Sequence, residues 1–490
     1  MKQAELIFDD RMVVGKIEET IFGSFIEHMG RSVYGGFYDP EHKEANASGF
    51  REDVIAAIRN LNISTVRYPG GNFVSGYDWK NGIGKERHPQ FELAWQEIES
   101  NKVGVDEFME FAKQCSFETM MAVNLGTGSP QSAAELVEYC NGSAGGFWSN
   151  QRVQNGHKEP YGVKKWCLGN EMDGDWQISS LPARDYAQKA LIAARMMRKI
   201  DPELELIACG SSNNFIASYP SWDRIVLETL YDEVDYLSVH TYYYSSDEDT
   251  DYKSYLGSYK DFEGILNTIT ATCDYVKAAK RSPKTMKLSV DEWNVWRHYP
   301  GEADKDLWTE APERLECTYN LLDAVVFSSL LCVLLNHCDR VKMACLAQLI
   351  NVIAPIRTIP GGDMFLQTIY YPFQAAATYM KGQVLRSEVH SPEIECEKYG
   401  KYGSVAASVA LDGDKLTVLA VNMDLSEETE LHIGFHKELK MTECYELYAP
   451  DINAKNSFEN PEEVVLQAKE ISEKIVLQPH SFTLLVFEIQ

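Results

Sequence analysis

The chain has 490 residues, 44% of them hydrophobic, and a formal charge of −27 from 73 acidic and 46 basic side chains. No basic block is available to neutralise phosphates, which argues against nucleic acid or an anionic membrane as partner and in favour of a neutral ligand. The eleven cysteines are irregularly spaced and several sit in apolar runs (Cys167, Cys209, Cys332, Cys345), as in a reduced interior, and no cluster has the spacing of metal ligands.

Residues 1–10 lack the apolar segment of about 7 to 15 residues that a secretory signal needs, so a cytoplasmic location is expected. Without secretion, the glycosylation patterns at Asn46 and Asn141 are chance matches. Residues 4–8 read as a strand. Eight short apolar runs then follow, at 22–27, 65–71, 119–125, 164–171, 204–210, 234–242, 286–293 and 341–348. Helical spacing of apolar residues separates them, at 51–61, 106–115, 132–140, 184–200, 222–230, 262–280 and 314–335, with 371–381 as the last. Ser132 and Glu135 have capping-box spacing. The apolar stretch 321–335 is interrupted by Asp323, Ser328 and Ser329 and is shorter than the roughly 20 residues that span a bilayer, so a buried helix is expected.

Strictly alternating strands and helices predict an α/β fold, a (β/α)8 barrel. Polar, aromatic, Gly- or Pro-rich loops at 72–99, 141–162, 243–259 and 294–312 all follow strands and therefore rise from one face. The pattern changes after the last helix. Alternating segments at 404–410, 415–422, 430–435 and 481–489, with an Asp412-Gly413 turn, predict a C-terminal antiparallel β-sandwich. The expected division is 1–14 as a strand joining the sandwich, 15–384 as the catalytic barrel and 385–490 as the sandwich domain.

Two apolar runs close on glutamates, Glu171 at strand four and Glu292 at strand seven. Strand C-termini are where such barrels carry chemistry. An Asn-Glu pair alone arises by chance about once in a chain of this length. Two carboxylates at opposed strand ends of one barrel are more specific. Held about 5 to 5.5 Å apart, they suit glycoside hydrolysis with retention. Arg67 on strand two is a candidate positive neighbour for one of them. No lysine projects from a strand's C-terminal end, which disfavours Schiff-base chemistry.

The runs FGSFIEHMGR around Glu27, RYPGGNFVSGYDWKNGIG from Arg67, WCLGNEMDGDWQ from Trp166, CGSS from Cys209, VHTYY from Val239 and VDEWNVW from Val290 resemble the intracellular α-L-arabinofuranosidases of glycoside hydrolase family 51. The resemblance implies Glu171 as general acid/base and Glu292 as nucleophile. It implies Glu27, Asn72, Asn170 and Gln348 as partners of the arabinose hydroxyls, Asn170 at the 2-hydroxyl next to the reacting carbon, and His240 and Tyr242 as residues that orient the two carboxylates. Trp95 and Trp296 match aromatic walls of the sugar site. The implied reaction is exo-acting release of terminal arabinofuranosyl units from arabino-oligosaccharides, with no metal or cofactor, in a homo-oligomer that the family commonly builds as a hexamer. A related retaining barrel glycosidase acting on xylosides or β-glucans is the alternative, and a silent carbohydrate-binding protein a third reading. Trp79, Trp148 and Trp176 lie in loop contexts and receive no role. The acidic tract 246–251 is expected to be solvated surface, with an edge of the cleft as the alternative.

Overall fold

The computed structural model describes residues 1–246, 248–298 and 306–490. Asp247 of the acidic tract and residues 299–305 of the expected loop 294–312 lie outside the described residues. Eight parallel strands hydrogen-bond in chain order and close into a barrel: Gly23–Phe25, Thr65–Tyr68, Glu118–Val123, Lys165–Leu168, Glu205–Ala208, Tyr236–Ser245, Lys287–Arg297 and Val341–Leu346. They are called the first to eighth barrel strands below. Strands covered on both faces read as unbroken apolar runs, and Trp166, Cys167 and Leu168 of the fourth are all buried.

The sixth and seventh strands outrun their expected ends. They stay paired as far as Ser245 and Arg297 and form a ribbon above the barrel mouth. Its tip is anchored, since Arg297 Nε donates to Asp323 Oδ2 at 2.9 Å and His298 N to Ser245 O at 2.7 Å. Glu292 therefore sits part-way along a strand and does not end one.

Helices depart from the expectation in several places, three of which show the cause. Pro130–Asn141 is capped by Ser129, whose Oγ accepts from Ser132 N at 3.1 Å, and Pro130 occupies the first turn, where its missing N–H costs nothing. Ser132 is thus inside the helix. Phe147–Gln154 is helical where a loop was expected, held by buried Arg152 donating to Tyr139 O at 2.6 Å and Gly142 O at 2.9 Å. The long apolar helix begins only at Leu321, because Asn320 and Asp323 cap it reciprocally: Asp323 N donates to Asn320 Oδ1 at 3.1 Å and Asn320 N to Asp323 Oδ2 at 2.9 Å.

The C-terminal domain is built on one nine-stranded sheet that curls around its own core. Leu6, Phe8 and Leu431 from one end of the sheet cluster with Val409, Val418 and Leu485 from the other. Lys2–Lys16 is third from one edge of it, antiparallel to Gln383–His390 and parallel to Thr429–Gly434, so one pairing departs from the expected antiparallel pattern. The Asp412-Gly413 turn closes a tight hairpin with Asp412 opposite Lys415 and Gly413 at φ +60°. The outer face of the sheet, through Leu419, Val421, Phe482 and Leu484, joins the barrel core. Between barrel and sheet lies Leu321–Asn336, every residue of which is buried through Leu335. Among the described residues, no helix is long and apolar enough to cross a membrane.

Candidate active site

The chain turns sharply after the fourth strand. Gly169 has φ +98°, and Glu171 itself sits at φ +44°, a left-handed conformation that a side-chain-bearing residue adopts at a cost. The turn aims Asn170 and Glu171 over the barrel mouth in succession. Glu171 Oε2 accepts from Trp176 Nε1 at 2.7 Å and from Gln177 Nε2 at 3.3 Å, while its Oε1 lies 3.0 Å from His240 Nδ1.

Glu292 approaches from the seventh strand. Arg67 Nη2 donates to its Oε1 and Tyr242 OH to its Oε2 at 2.6 Å, while His240 Nδ1 stands 3.6 Å from Oε2. An oxygen of Glu171, a ring nitrogen of His240 and an oxygen of Glu292 thus lie within 4.8 Å of one another. That spacing fits a retaining pair and is too tight for an inverting pair, which needs roughly 6.5 to 9.5 Å between carboxyls to seat a water. The same three donors could surround a cation, but Glu292 is already engaged by a guanidinium. The set reads as a proton-transfer group.

Charge explains the protonation states. Burial pushes the Glu292 carboxyl up, the cations of His240 and Arg67 oppose that shift, and the Glu171 charge adds to it. Burial alone would lower the His240 pKa, but Glu292, Asp291 and Glu171 outweigh it and raise the ring to about 10. The three carboxylates thus favour the imidazolium form of His240.

Around this pair lies the polar floor of the cavity. Glu27, 2% exposed, accepts from Phe73 N at 2.9 Å and Trp95 Nε1 at 2.6 Å. Gln348 and Glu27 engage reciprocally: Gln348 Nε2 donates to Glu27 Oε2 at 3.2 Å and Glu27 N to Gln348 Oε1 at 3.2 Å. Burial raises the Glu27 carboxyl well above the usual range. Gly71, at φ +60°, is where the backbone passes the carboxylate, and a Cβ there would stand 2.0 Å from Glu27 Oε2. Asn72 accepts from Gln177 Nε2, and Arg67 Nη1 donates to Asn170 Oδ1 at 2.9 Å.

All eleven residues singled out from the sequence converge here. Glu27, Asn72, Trp95, Glu171, Tyr242, Glu292, Trp296 and Gln348 line a cavity of about 790 Å³, and Arg67, Asn170 and His240 lie beneath it. The three unassigned tryptophans separate. Trp79 and Trp148 pack on each other at 5.0 Å, whereas Trp176 lines the cavity and bonds Glu171. Gln177, which ties Glu171 to Asn72 and accepts from Ser75 Oγ at 2.7 Å, was also missed, although both residues lie in the WCLGNEMDGDWQ run. Tyr244, 5.6 Å from Trp296, and buried Asp291 complete the set that sequence patterning did not single out.

Residues 57–261 match the α-L-arabinofuranosidase 1 domain and residues 291–481 the α-L-arabinofuranosidase C-terminal domain. The chain is 45% identical over 463 residues, 93% of it and 92% of the relative, to the intracellular exo-α-(1→5)-L-arabinofuranosidase 1 of Bacillus subtilis. It is 41% identical over 483 residues, covering 95% and 92%, to the exo-α-(1→6)-L-arabinofuranosidase of Bifidobacterium longum. A solved family 51 α-L-arabinofuranosidase from Bifidobacterium longum superposes with a TM-score of 0.94 at 36% identity over the whole of both chains.

Proposed function

Since the chain belongs to the intracellular α-L-arabinofuranosidases of glycoside hydrolase family 51, we propose that it releases terminal α-L-arabinofuranosyl units from short arabino-oligosaccharides by double displacement, with Glu171 as acid/base and Glu292 as nucleophile. The observation that carries this reading is the clustering of both carboxylates around His240 within 4.8 Å. In the first step a Glu292 oxygen attacks the anomeric carbon as Glu171 gives its proton to the departing glycosidic oxygen. The bond to the leaving group breaks and an arabinosyl ester forms. In the second step Glu171, now a carboxylate, takes a proton from water, whose oxygen attacks the anomeric carbon and frees Glu292.

Glu27, Asn72, Asn170 and Gln348 supply the directed polar partners a furanose needs, and Trp95 and Trp296 its apolar walls. The named relatives split between (1→5) and (1→6) linkages, so family membership leaves the linkage preference open. The relatives described as intracellular support a cytoplasmic location, and the family resemblance supports a homohexamer.

Glu292→Ala should abolish turnover, and azide should partly restore Glu171→Ala on an aryl arabinofuranoside with a good leaving group. An active Glu292→Ala enzyme would sink the assignment. Side-by-side hydrolysis of nitrophenyl arabinofuranoside, xyloside and glucoside separates this reading from a xylosidase or β-glucanase, with the arabinofuranoside expected to dominate.

A further inference from the structure

The seventh barrel strand delivers two consecutive carboxylates to one side. Side chains alternate along a regular strand, so the residue before Glu292 should face the surrounding helices. Pairing slips between Ser289 and Glu292 against the sixth strand and between Val290 and Trp293 against the eighth. The irregularity turns Asp291 into the barrel as well. Asp291 is 2% exposed. Its Oδ1 accepts from Ser238 Oγ at 2.5 Å and lies 3.5 Å from His240 Nε2, and its Oδ2 accepts from the Cys167 thiol at 3.6 Å.

The titratable groups that face Asp291 are His240 on the sixth strand, Cys167 on the fourth, Cys209 on the fifth, Arg67 on the second, Cys345 on the eighth and Glu292 beside it. Burial pushes the three thiols up, so they stay neutral. Arg67 and His240 remain as the cations.

We propose that Asp291 is a positioning residue that holds His240 as an imidazolium, one ring N–H directed down to Asp291 and the other up to Glu171, so that a single cation serves both catalytic carboxylates. The proposal rests on the acid/base and nucleophile reading above and gives that site its electrostatic hinge. Before reaction, Arg67 and His240 balance Asp291 and Glu292, while Glu171 holds the proton to be transferred. Forming the arabinosyl ester removes the charge of Glu292, and losing the proton places one on Glu171. The negative charge thus passes between two carboxylates that share the same Nδ1, from 3.6 Å to 3.0 Å away. The countercharge is in place before and after the step, so little reorganisation is needed. Without Asp291, the ring loses its acceptor at Nε2 and one of the charges that oppose burial, and a neutral ring cannot donate at both nitrogens.

Asp291→Asn in the full chain keeps the shape and removes the charge. Loss of the His240 cation should raise the Glu292 carboxyl, so the acidic limb of the kcat/KM pH profile should move to higher pH, by on the order of one unit. kcat should fall while KM is little changed. A folded Asp291→Asn enzyme with an unmoved profile overturns the proposal, whatever its melting temperature. Imidazole ¹⁵N shifts in the unmodified protein, assigned by the signal lost in His240→Gln, give a test that needs no folded Asp291 variant. Two protonated ring nitrogens at pH 7 are expected, and a neutral ring overturns the proposal. Failure of azide to rescue Glu171→Ala would instead indict the parent reading, and the two failures are read by different experiments.

Discussion

Asn170 is pinned on one side only. Its Oδ1 takes the hydrogen bond from Arg67, and its buried Nδ2 has no protein partner among the described residues. Because a guanidinium only donates, the amide cannot flip, and its N–H₂ stays turned away from Arg67, beneath the cavity. A buried donor left unpaired costs about 1 to 3 kcal/mol, a cost that a sugar hydroxyl at this position relieves. Asn170→Ala should therefore lower kcat/KM on an aryl arabinofuranoside by on the order of 10²- to 10³-fold, comparable to removing one preorganised donor at a reacting centre. The loss should shrink on the 2-deoxy analogue, and an equal loss on both sugars would remove Asn170 from the 2-hydroxyl. Residue identity was legible where an apolar run closed on a carboxylate, as for Glu171 and Glu292. Asp291 was not, because alternation assigns it to the opposite face and only the bulge reverses that. Trp176 was not, because its contact with Glu171 depends on how the loop after the fourth strand folds back.

The helix Ser221–Leu230 shows what an element adds to its residues. Asp223 in its first turn reaches back to the end of the fifth strand, accepting from Ser211 N at 2.8 Å and Ser211 Oγ at 2.5 Å. Burial nevertheless raises its carboxyl to about 7, and the two hydrogen bonds only moderate the shift. A carboxyl raised in the folded state keeps its proton after the unfolded chain has lost it. The associated stability is complete below the ordinary value near 4 and is lost as pH rises through about 7. Asp223→Asn, with the same shape and no charge, should escape that loss. Melting temperatures across pH 4 to 8 should show the variant gaining on the wild-type protein as pH rises, and a constant difference would refute the assignment. Elements themselves were legible in proportion to their burial. Barrel strands covered on both faces announced themselves as apolar runs. Phe147–Gln154 did not, because its two buried residues, Ser149 and Arg152, are polar and glycines precede it. The ribbon 243–245 with 295–297 was missed for a related reason, since aromatic and polar residues above the mouth lack the apolar signature of the strands below.

At the scale of the whole molecule, barrel and sheet share a core. Leu321–Asn336 is apolar on every side because one face meets the barrel strands and the other meets the curled sheet. Main-chain bonds from Leu321 N to Ala454 O at 2.9 Å and Leu322 N to Ile452 O at 3.0 Å, and Asn336 Nδ2 to Ala407 O at 2.9 Å, tie both ends of the helix to the C-terminal domain. The sequence pattern indicated a strand-rich domain and a returning N-terminal strand. It could not indicate that the sheet is continuous and covers this helix, because strand neighbours far apart in sequence leave no local trace. Removing residues 385–490 would also strip Lys2–Lys16 of both its neighbours beyond residue 384 and leave a long strand with open edges. Each large apolar side chain uncovered on the helix costs about 1.5 to 3 kcal/mol, and a few of them equal the roughly 5 to 15 kcal/mol that separates folded from unfolded domains. A chain ending at residue 384 should therefore be recovered only as aggregate, even though it holds every proposed catalytic and sugar-binding residue. Intact protein should unfold in urea with fluorescence of the barrel tryptophans and far-ultraviolet circular dichroism moving together. A soluble, active 1–384 fragment, or a sheet that melts well before the barrel, would show instead that the two parts are stable independently and that the shared helix needs no cover.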